Sequence, residues 1–197
     1  MISKLTCISL AVVVLAFASV AVGQNLVLNG NFATGDFTDW TLTGNQQDVG
    51  VCNASTCPGG FAPLSTYAAY FGPVGSYATL SQMIPTTPGD QYTLTFYLAD
   101  PVAGTPNYFS ASFGNATLTL NNWGTAFGWQ EFNLITTVTG SSTELSFTFR
   151  NDPAYWFLDN VTILQGSSGT VPEPSSVLLF GSGLLGVFGL ARRKFRL

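Results

Sequence analysis

The chain contains few of the side chains that perform catalysis. It has no histidine, so Ser-His-Asp and Cys-His arrangements are excluded and the commonest general base is absent. Two pairs of carboxylates could in principle hydrolyse a glycosidic bond, Asp36 with Asp39 and Asp152 with Asp159. Both pairs lie in or beside predicted turns or near strand ends, where acidic side chains are usually solvated. We therefore expect a protein that is not an enzyme.

Two cysteines lie close together, Cys52 and Cys57, in the segment Cys-Asn-Ala-Ser-Thr-Cys. In an oxidising compartment such a pair most simply forms a small-loop disulfide. The alternative is a zinc site, but two thiolates alone make a poor one, and without histidine the other ligands would have to be carboxylates. The spacing predicts a disulfide that fixes a local loop and need not carry function.

Aromatic side chains near predicted loops are candidates for ligand contact, because aromatic rings can stack on the apolar faces of sugars. Trp40 and Trp156 are expected to pack in the interior, and any of the candidates could do the same. Four candidates lie near proline-rich, glycine-rich or turn-forming sequences: Tyr108, Trp123, Trp129 and Tyr155.

The N-terminus has the organisation of a secretory signal peptide. Lys4 supplies a short positive region, and residues 8–22 are apolar but too short for a stable membrane span. Ala21 and Gly23 place small residues at the positions that a signal peptidase recognises. We expect residues 1–23 to be a signal peptide cleaved before Gln24; the alternative is an uncut N-terminal anchor.

The C-terminus combines three features in a fixed order. Residues 171–174 are Val-Pro-Glu-Pro, residues 176–191 are uncharged and apolar, and residues 192–197 are basic. A helix over 176–191 would be roughly 24 Å long, slightly short of the ~30 Å core of a bilayer, so it is predicted as a marginal transmembrane helix. The positive-inside bias would hold the tail in the cytoplasm. Its basic residues are Arg192, Arg193, Lys194 and Arg196.

This C-terminus resembles the PEP-CTERM sorting signal of Gram-negative bacteria that make exopolysaccharide. The resemblance is carried by Val171, Pro172, Glu173 and Pro174, together with the helix and the basic tail. In that family the signal is recognised and cut by exosortase, a membrane-embedded cysteine transpeptidase. The resemblance implies an exosortase-like partner, export through the inner membrane, a transient C-terminal membrane anchor, and transfer to the cell surface or extracellular matrix. The alternative is a plain anchor that is never cut.

The segment between the two termini is strongly acidic. Residues 24–170 hold nine carboxylates and one basic residue, Arg150, which gives a net charge of about −8. Such a domain lacks the basic surface that nucleic acid requires, so we exclude nucleic-acid binding. The carboxylates are those of Asp36, Asp39, Asp48, Asp90, Asp100, Glu131, Glu144, Asp152 and Asp159.

Apolar and polar residues alternate at period two through this segment, which is the pattern of half-buried β-strands. Turn-forming sequences such as Thr87-Pro88-Gly89-Asp90 separate the strands. Eight to ten such strands predict an all-β fold, a two-sheet antiparallel β-sandwich of jelly-roll type over residues 24–165, followed by a linker with the Val-Pro-Glu-Pro motif at 166–175. The clearest runs are 91–98, 116–120, 132–138, 144–150 and 157–163.

Both ends of the predicted sandwich carry distinctive sequences. Residues 25–32 are Asn-Leu-Val-Leu-Asn-Gly-Asn-Phe, followed by Gly-Asp-Phe at 35–37 and by Trp40, and residues 157–163 are Phe-Leu-Asp-Asn-Val-Thr-Ile. These sequences resemble the opening and the last strand of galactose-binding-like jelly rolls, which occur in several carbohydrate-binding module families. The resemblance implies that the first and last strands pair. It is specific for the fold and says little about the ligand.

Related modules often hold a structural calcium ion with an acidic residue near the first strand and an aspartate in the last one. Here Ala33 replaces the first ligand, whereas Asp159 remains. The resemblance leaves two possibilities: calcium bound by Asp159 with backbone carbonyls near Asn31 and Asp36, or Asp159 accepting hydrogen bonds from the turn after the first strand. No other cofactor is expected.

The leading hypothesis is a non-enzymatic surface or matrix protein, processed by exosortase, whose jelly-roll domain associates with extracellular polysaccharide. The second is a purely structural biofilm protein that binds no sugar. The third is a secreted glycoside hydrolase.

Overall fold

A computed structural model describes residues 23–152 and 154–166. Apart from Gly23, the predicted signal peptide lies outside these residues, as do the Val-Pro-Glu-Pro motif, the predicted transmembrane helix and the basic tail. Within the described part of the chain, no helix has the length and apolar character needed to cross a membrane.

The described residues form two antiparallel five-stranded sheets, which we call sheet A and sheet B. Sheet A has the order β1 (Thr41–Gly44), β4 (Ala78–Pro85), β9 (Ser142–Asn151), β6 (Asn107–Phe113) and β7 (Ala116–Asn121). Sheet B has the order β2 (Val49–Asn53), β3 (Tyr67–Phe71), β10 (Trp156–Gln165), β5 (Gln91–Asp100) and β8 (Phe127–Thr137). A short 3-10 turn spans Pro58–Gly60. The predicted all-β sandwich is therefore confirmed, and all five of the clearest predicted runs are strands.

The core lies between the sheets and is largely aromatic. In the central strands every second side chain is buried, as the period-two alternation predicts. Phe71 of sheet B and Phe149 of sheet A stack with their ring centroids 3.7 Å apart, which joins the two sheets directly. Trp40 and Trp156 are also buried, as expected.

The predicted first strand, residues 25–32, is not a regular strand, although it does lie against the last one. Its backbone bonds to β10 at only two points, where Leu26 N donates to Ile163 O (3.0 Å) and Val161 N donates to Gly30 O (2.8 Å). Close to these points, between Asp159 and Thr162, the pairing of β10 with β5 contains a register shift. The Asn25 side chain fills this irregularity, because its Oδ1 accepts a hydrogen bond from Ile163 N at 2.9 Å.

A second asparagine of the opening sequence organises the turn that follows. Asn29 Nδ2 donates to Thr34 Oγ1 (2.8 Å) and to Thr38 O (2.9 Å). The Asn29 carbonyl accepts a hydrogen bond from Trp40 Nε1 at 3.1 Å. Asn29 itself has a φ of 48°, which asparagine tolerates better than most residues. The turn thereby places the Trp40 side chain in the core.

The outer face of sheet A carries two continuous rows of hydroxyl side chains. The strand registers align one residue from each strand in every row, about 4.8 Å apart across the strands, with about 6.7 Å between rows. Neighbours in a row contact one another, as Thr79 Oγ1 and Thr148 Oγ1 do at 3.2 Å. The centre of this face carries hydroxyl groups and no charged side chain. One row is Thr43, Thr79, Thr148, Ser110 and Thr119, and the other is Thr41, Ser81, Ser146, Ser112 and Thr117.

Gly30→Ala should destabilise the fold strongly. A Cβ at this position would lie 2.1 Å from the carbonyl oxygen of Val161, so the first segment would have to move away from β10. We expect a loss of more than about 2 kcal/mol in the free energy of unfolding, measured by urea denaturation. Gly128→Ala is the matched control, because a Cβ there meets nothing within 4 Å, and it should change stability by less than about 0.5 kcal/mol. Equal stability of the two variants would contradict this account of the first segment.

Candidate functional site

A disulfide joins Cys52 and Cys57, whose Cα atoms are 4.8 Å apart. It closes the start of the loop between β2 and β3, which covers part of the outer face of sheet B. From this loop, the Phe61 ring lies 4.7 Å from Phe157 and 5.4 Å from Trp129, measured between centroids. Trp129 Nε1 donates to Ala62 O at 3.0 Å, which ties the indole to the same loop. The loop and the sheet thus build an aromatic cluster outside the main core.

Beside this cluster is an open pocket of about 360 Å³. Phe157, which is only 1% exposed, is the most buried aromatic residue of its wall. The Tyr155 ring packs edge-on against Tyr70 at 5.8 Å. Burial raises the pKa of the Tyr155 hydroxyl, and the charge of Asp48 raises it further, so it stays a neutral hydrogen-bonding group. The lining residues are Pro58, Gly59, Phe61, Pro101, Val102, Ala154, Tyr155 and Phe157.

The four aromatic candidates separate into two groups. Trp129 and Tyr155 both belong to the cluster beside the pocket, and Tyr155 lines the pocket itself. Tyr108 instead lies on the outer face of sheet A, where its ring packs 5.1 Å from Tyr77. Trp123 follows β7, is 44% exposed and does not line the pocket.

Phe61 and Phe157 were not among the sequence candidates. Phe157 was placed in a strand by its period-two pattern, and such a pattern does not show that a loop covers the outer face. In the sequence, the one indication that Phe61 belongs to the site is its position four residues after the second cysteine. The disulfide loop that contains it returns to the sheet and brings the two rings together.

A buried polar cluster links the two sheets immediately before the pocket residues Pro101 and Val102. The Asp100 carboxylate of sheet B accepts hydrogen bonds from Asn107 Nδ2 (3.2 Å) and Asn151 Nδ2 (3.4 Å) of sheet A. Asn107 Nδ2 also donates to Gly104 O at 2.7 Å, which holds the loop after β5. Burial raises the pKa of Asp100 to about 7, although the hydrogen bonds from both asparagines favour its charged form.

Asp159 is not the solvated acid that its predicted position near a strand end suggested, because the structure buries it completely. Burial raises the pKa of its carboxyl group. Its carboxylate accepts hydrogen bonds from Ser65 N (2.8 Å), Ser65 Oγ (3.1 Å) and Asn160 N (2.7 Å). The main partner therefore comes from the loop before β3, and the expectation that it would come from the turn after the first strand was wrong.

These surroundings of Asp159 do not fit calcium, since three donors point at the carboxylate and a cation requires oxygen ligands. Residues 23–152 and 154–166 contain no group of three or more acidic, cysteine or histidine side chains placed to hold a metal ion.

Two of the other candidate carboxylates, Asp36 and Asp152, are also engaged by neighbouring groups. Both oxygens of Asp152 accept hydrogen bonds from Arg150, from Nε and Nη2 at 2.7 Å each, and this lowers the pKa of Asp152 to about 2. Asp36 is exposed in its turn, and hydrogen bonds from Thr38 and Thr34 lower its pKa. Both carboxylates are thus held by hydrogen bonds from residues two positions away in the chain.

Comparison with protein families identifies a PEP-CTERM protein-sorting motif at residues 170–194. The chain carries a PEP-CTERM sorting motif. This finding confirms the resemblance that the Val-Pro-Glu-Pro segment indicated. No curated protein matches the sequence.

Several solved structures share the fold of this sandwich at low sequence identity. TmCBM61, solved in complex with beta-1,4-galactotriose, is 18% identical with a TM-score of 0.58 over 73% of this chain and 99% of its own. The enzymatically active domain of tailspike protein 4 from bacteriophage CBA120 is 18% identical, with a TM-score of 0.54 over 72% of this chain and 21% of its own.

The tandem CBM22-1–CBM22-2 domain of Xyn10C from Paenibacillus barcinonensis is 15% identical, with a TM-score of 0.51 over 81% of this chain and 50% of its own. The described part of the chain is thus a two-sheet jelly-roll sandwich with the fold seen in carbohydrate-binding modules. At these identities the likeness concerns the fold.

Asp100→Asn should change how stability depends on pH. The pKa of Asp100 is about 7 in the folded protein, against an ordinary value of 3.8, so protonation of this carboxyl group stabilises the fold. This contribution to the free energy of unfolding is fully present below about pH 4 and is lost as the pH rises through about 7. An uncharged Asn avoids this loss. As the pH rises from about 5 to about 8, we expect the unfolding free energy of the variant to increase, relative to that of the wild type, by on the order of 3 kcal/mol, measured by urea denaturation.

Glu144→Gln is the matched control for this experiment, because it removes one carboxylate from an exposed position. It should follow the wild-type pH dependence. If Asp100→Asn follows it as well, the buried carboxylate does not titrate as described.

Proposed function

We propose that this PEP-CTERM protein is exported, processed at its Val-Pro-Glu-Pro segment by an exosortase-like enzyme, and associates with extracellular polysaccharide without cleaving it. The observation that carries the binding proposal is the pocket formed by Phe61, Tyr155 and Phe157 on a sandwich of the carbohydrate-binding-module type. The cell surface or extracellular matrix of a Gram-negative bacterium is the proposed location.

The walls of the pocket suit the chemistry of a sugar ring. Its aromatic rings and prolines provide apolar surface on which the C–H face of a pyranose can pack. Its volume of about 360 Å³ lies within the range typical of small-molecule sites. The disulfide and the Trp129–Ala62 hydrogen bond hold Phe61 in place before a ligand arrives, which reduces the entropy lost on binding.

The absence of catalysis is part of the proposal and rests on the state of the carboxylates. Asp152 is bound by Arg150, and Asp159 is bound by Ser65 and Asn160. Neither Asp152 nor Asp159 lines the pocket. A glycoside hydrolase needs two carboxyl groups placed on either side of the bond to be broken.

A purely structural matrix protein is the second candidate. The observation in its favour is the uncharged hydroxyl face of sheet A, which gives a hydrated surface without any aromatic platform in its two rows. Such a protein would bind no polysaccharide through the pocket, so the following experiment separates the two candidates.

Tyr155→Ala should weaken binding to the host's exopolysaccharide by about tenfold or more, because it removes one aromatic wall of the pocket. Affinity electrophoresis of the full-length chain in mild detergent measures the effect. Tyr155→Phe keeps the ring and should retain most of the binding. Trp123→Ala is the matched aromatic control and should leave affinity unchanged, since Trp123 lies outside the pocket. Binding that is equally strong in all three variants, or absent in the wild type, would refute the pocket as a sugar site.

Replacing Pro172, Glu173 and Pro174 together with alanine should abolish C-terminal processing, since the prolines favour the extended segment that a processing enzyme would meet. Intact masses of the protein from membrane and secreted fractions of the native host provide the measurement. For the wild type we expect a mature species that begins at Gln24 and ends near Pro174, and this species should be lost in the variant. A wild-type protein that keeps Leu197 and stays in the membrane fraction would show an uncut anchor.

A further inference from the structure

The scarcity of positive charge in the domain restricts which polysaccharides the pocket can bind. Arg150 is the one basic residue in the sequence between residues 23 and 166. Its guanidinium donates to both oxygens of Asp152 at 2.7 Å, so its charge is neutralised by a local partner. A uronate, sulfate or phosphate on a sugar would therefore find no cation to compensate for its desolvation.

Acidic groups lie close to the aromatic walls. The Asp48 carbonyl accepts a hydrogen bond from Gly72 N at 2.8 Å, and the Tyr155 ring lies directly against Gly72, where a Cβ would come within 2.6 Å of it. This contact keeps Asp48, which is exposed, near the Tyr155 side of the pocket, and its charge is felt by the Tyr155 hydroxyl. On β8, Glu131 is exposed two residues beyond Trp129, on the same face of sheet B.

Aromatic rings and negative potential together favour a cation. The faces of Phe, Tyr and Trp rings attract ammonium groups, most strongly where the site is partly desolvated. The pocket offers the half-buried rings of Phe61 and Tyr155, backed by the buried ring of Phe157, and it lies in a domain whose net charge is about −8. This potential also concentrates a cationic polymer near the surface before it docks.

We propose that the pocket binds an amino sugar, so that the partner of this protein is a polysaccharide with free ammonium groups and not an acidic one. This inference rests on the proposed function, because it names the chemical class of ligand for the same pocket. The sugar ring stacks on the aromatic walls, and its ammonium group lies over a ring face on the side of Asp48.

The test compares two oligosaccharides of equal length, a β-1,4-linked hexamer of glucosamine and its fully N-acetylated counterpart. Binding to the full-length chain in mild detergent is measured by isothermal titration calorimetry at about pH 5, where the weakly basic amines of a glucosamine oligomer are mostly protonated. We expect the glucosamine hexamer to bind about threefold tighter or more, and the difference to shrink as salt rises from about 0.05 to about 0.5 M.

Two charge variants test whether the preference for the glucosamine hexamer depends on a charge near the pocket. Asp48→Asn should reduce the preference for the glucosamine hexamer by about twofold at low salt and leave the affinity for the acetylated hexamer unchanged. Glu144→Gln removes the same charge from the outer face of sheet A and should have a smaller effect. Tyr155→Ala should weaken binding of both hexamers.

The outcomes separate this inference from the proposed function. Equal or tighter binding of the acetylated hexamer, still dependent on Tyr155, would overturn the amino-sugar inference and leave the sugar pocket intact. A preference for the glucosamine hexamer that survives Tyr155→Ala and falls equally in Asp48→Asn and Glu144→Gln would overturn it too, because it would show adsorption by net charge alone. Failure of both hexamers to bind overturns the inference, and the proposed function is then decided separately by the exopolysaccharide experiment.

Discussion

The contact between the first segment and β10 is the constraint on which the rest of the sandwich depends. β3 pairs with β10 only from Trp156 to Leu158, and beyond that point the backbone of residues 26–30 hydrogen-bonds to β10 instead. Gly30 permits the approach because it has no Cβ, and Asn25 supplies hydrogen-bonding groups where the strand is irregular. The same strand begins at Trp156, between the pocket residues Tyr155 and Phe157, so the geometry of the pocket depends on the placement of β10.

The sequence was sufficient for the class of fold because its signals are local. Period-two alternation located β5, β7, β8, β9 and β10, and the opening and closing sequences indicated the jelly roll. The asparagines and the glycine of the opening sequence have physical roles that a motif does not state. The asparagines hydrogen-bond to side chains and backbone of the turn, and the glycine lets the first segment approach β10. The first strand that the resemblance implied is not a regular one, because hydrogen bonds from side chains replace part of the backbone ladder there.

The candidate site was harder to predict because it depends on contacts between distant parts of the chain. The disulfide spacing was visible, but the return of Phe61 onto Phe157 and Trp129 was not. The buried Asp100 cluster joins residues from three strands, and the hydroxyl rows of sheet A join five. Asp159 was assigned to a solvated position by its place in the sequence, whereas a loop nearly one hundred positions away covers it. Local patterns indicate which face of a strand is polar, but they do not indicate what covers that face.

The course of β10 has a mechanical consequence. The strand starts at the pocket, and at its other end Gly166 leads the chain out of the sandwich after bonding to Gln91 O at 2.7 Å. Ten extended residues separate the two ends, a distance of roughly 30 Å. A pull between a ligand held at the pocket and an attachment beyond Gly166 would therefore act along β10, in a shear direction that loads many hydrogen bonds to β5 at once.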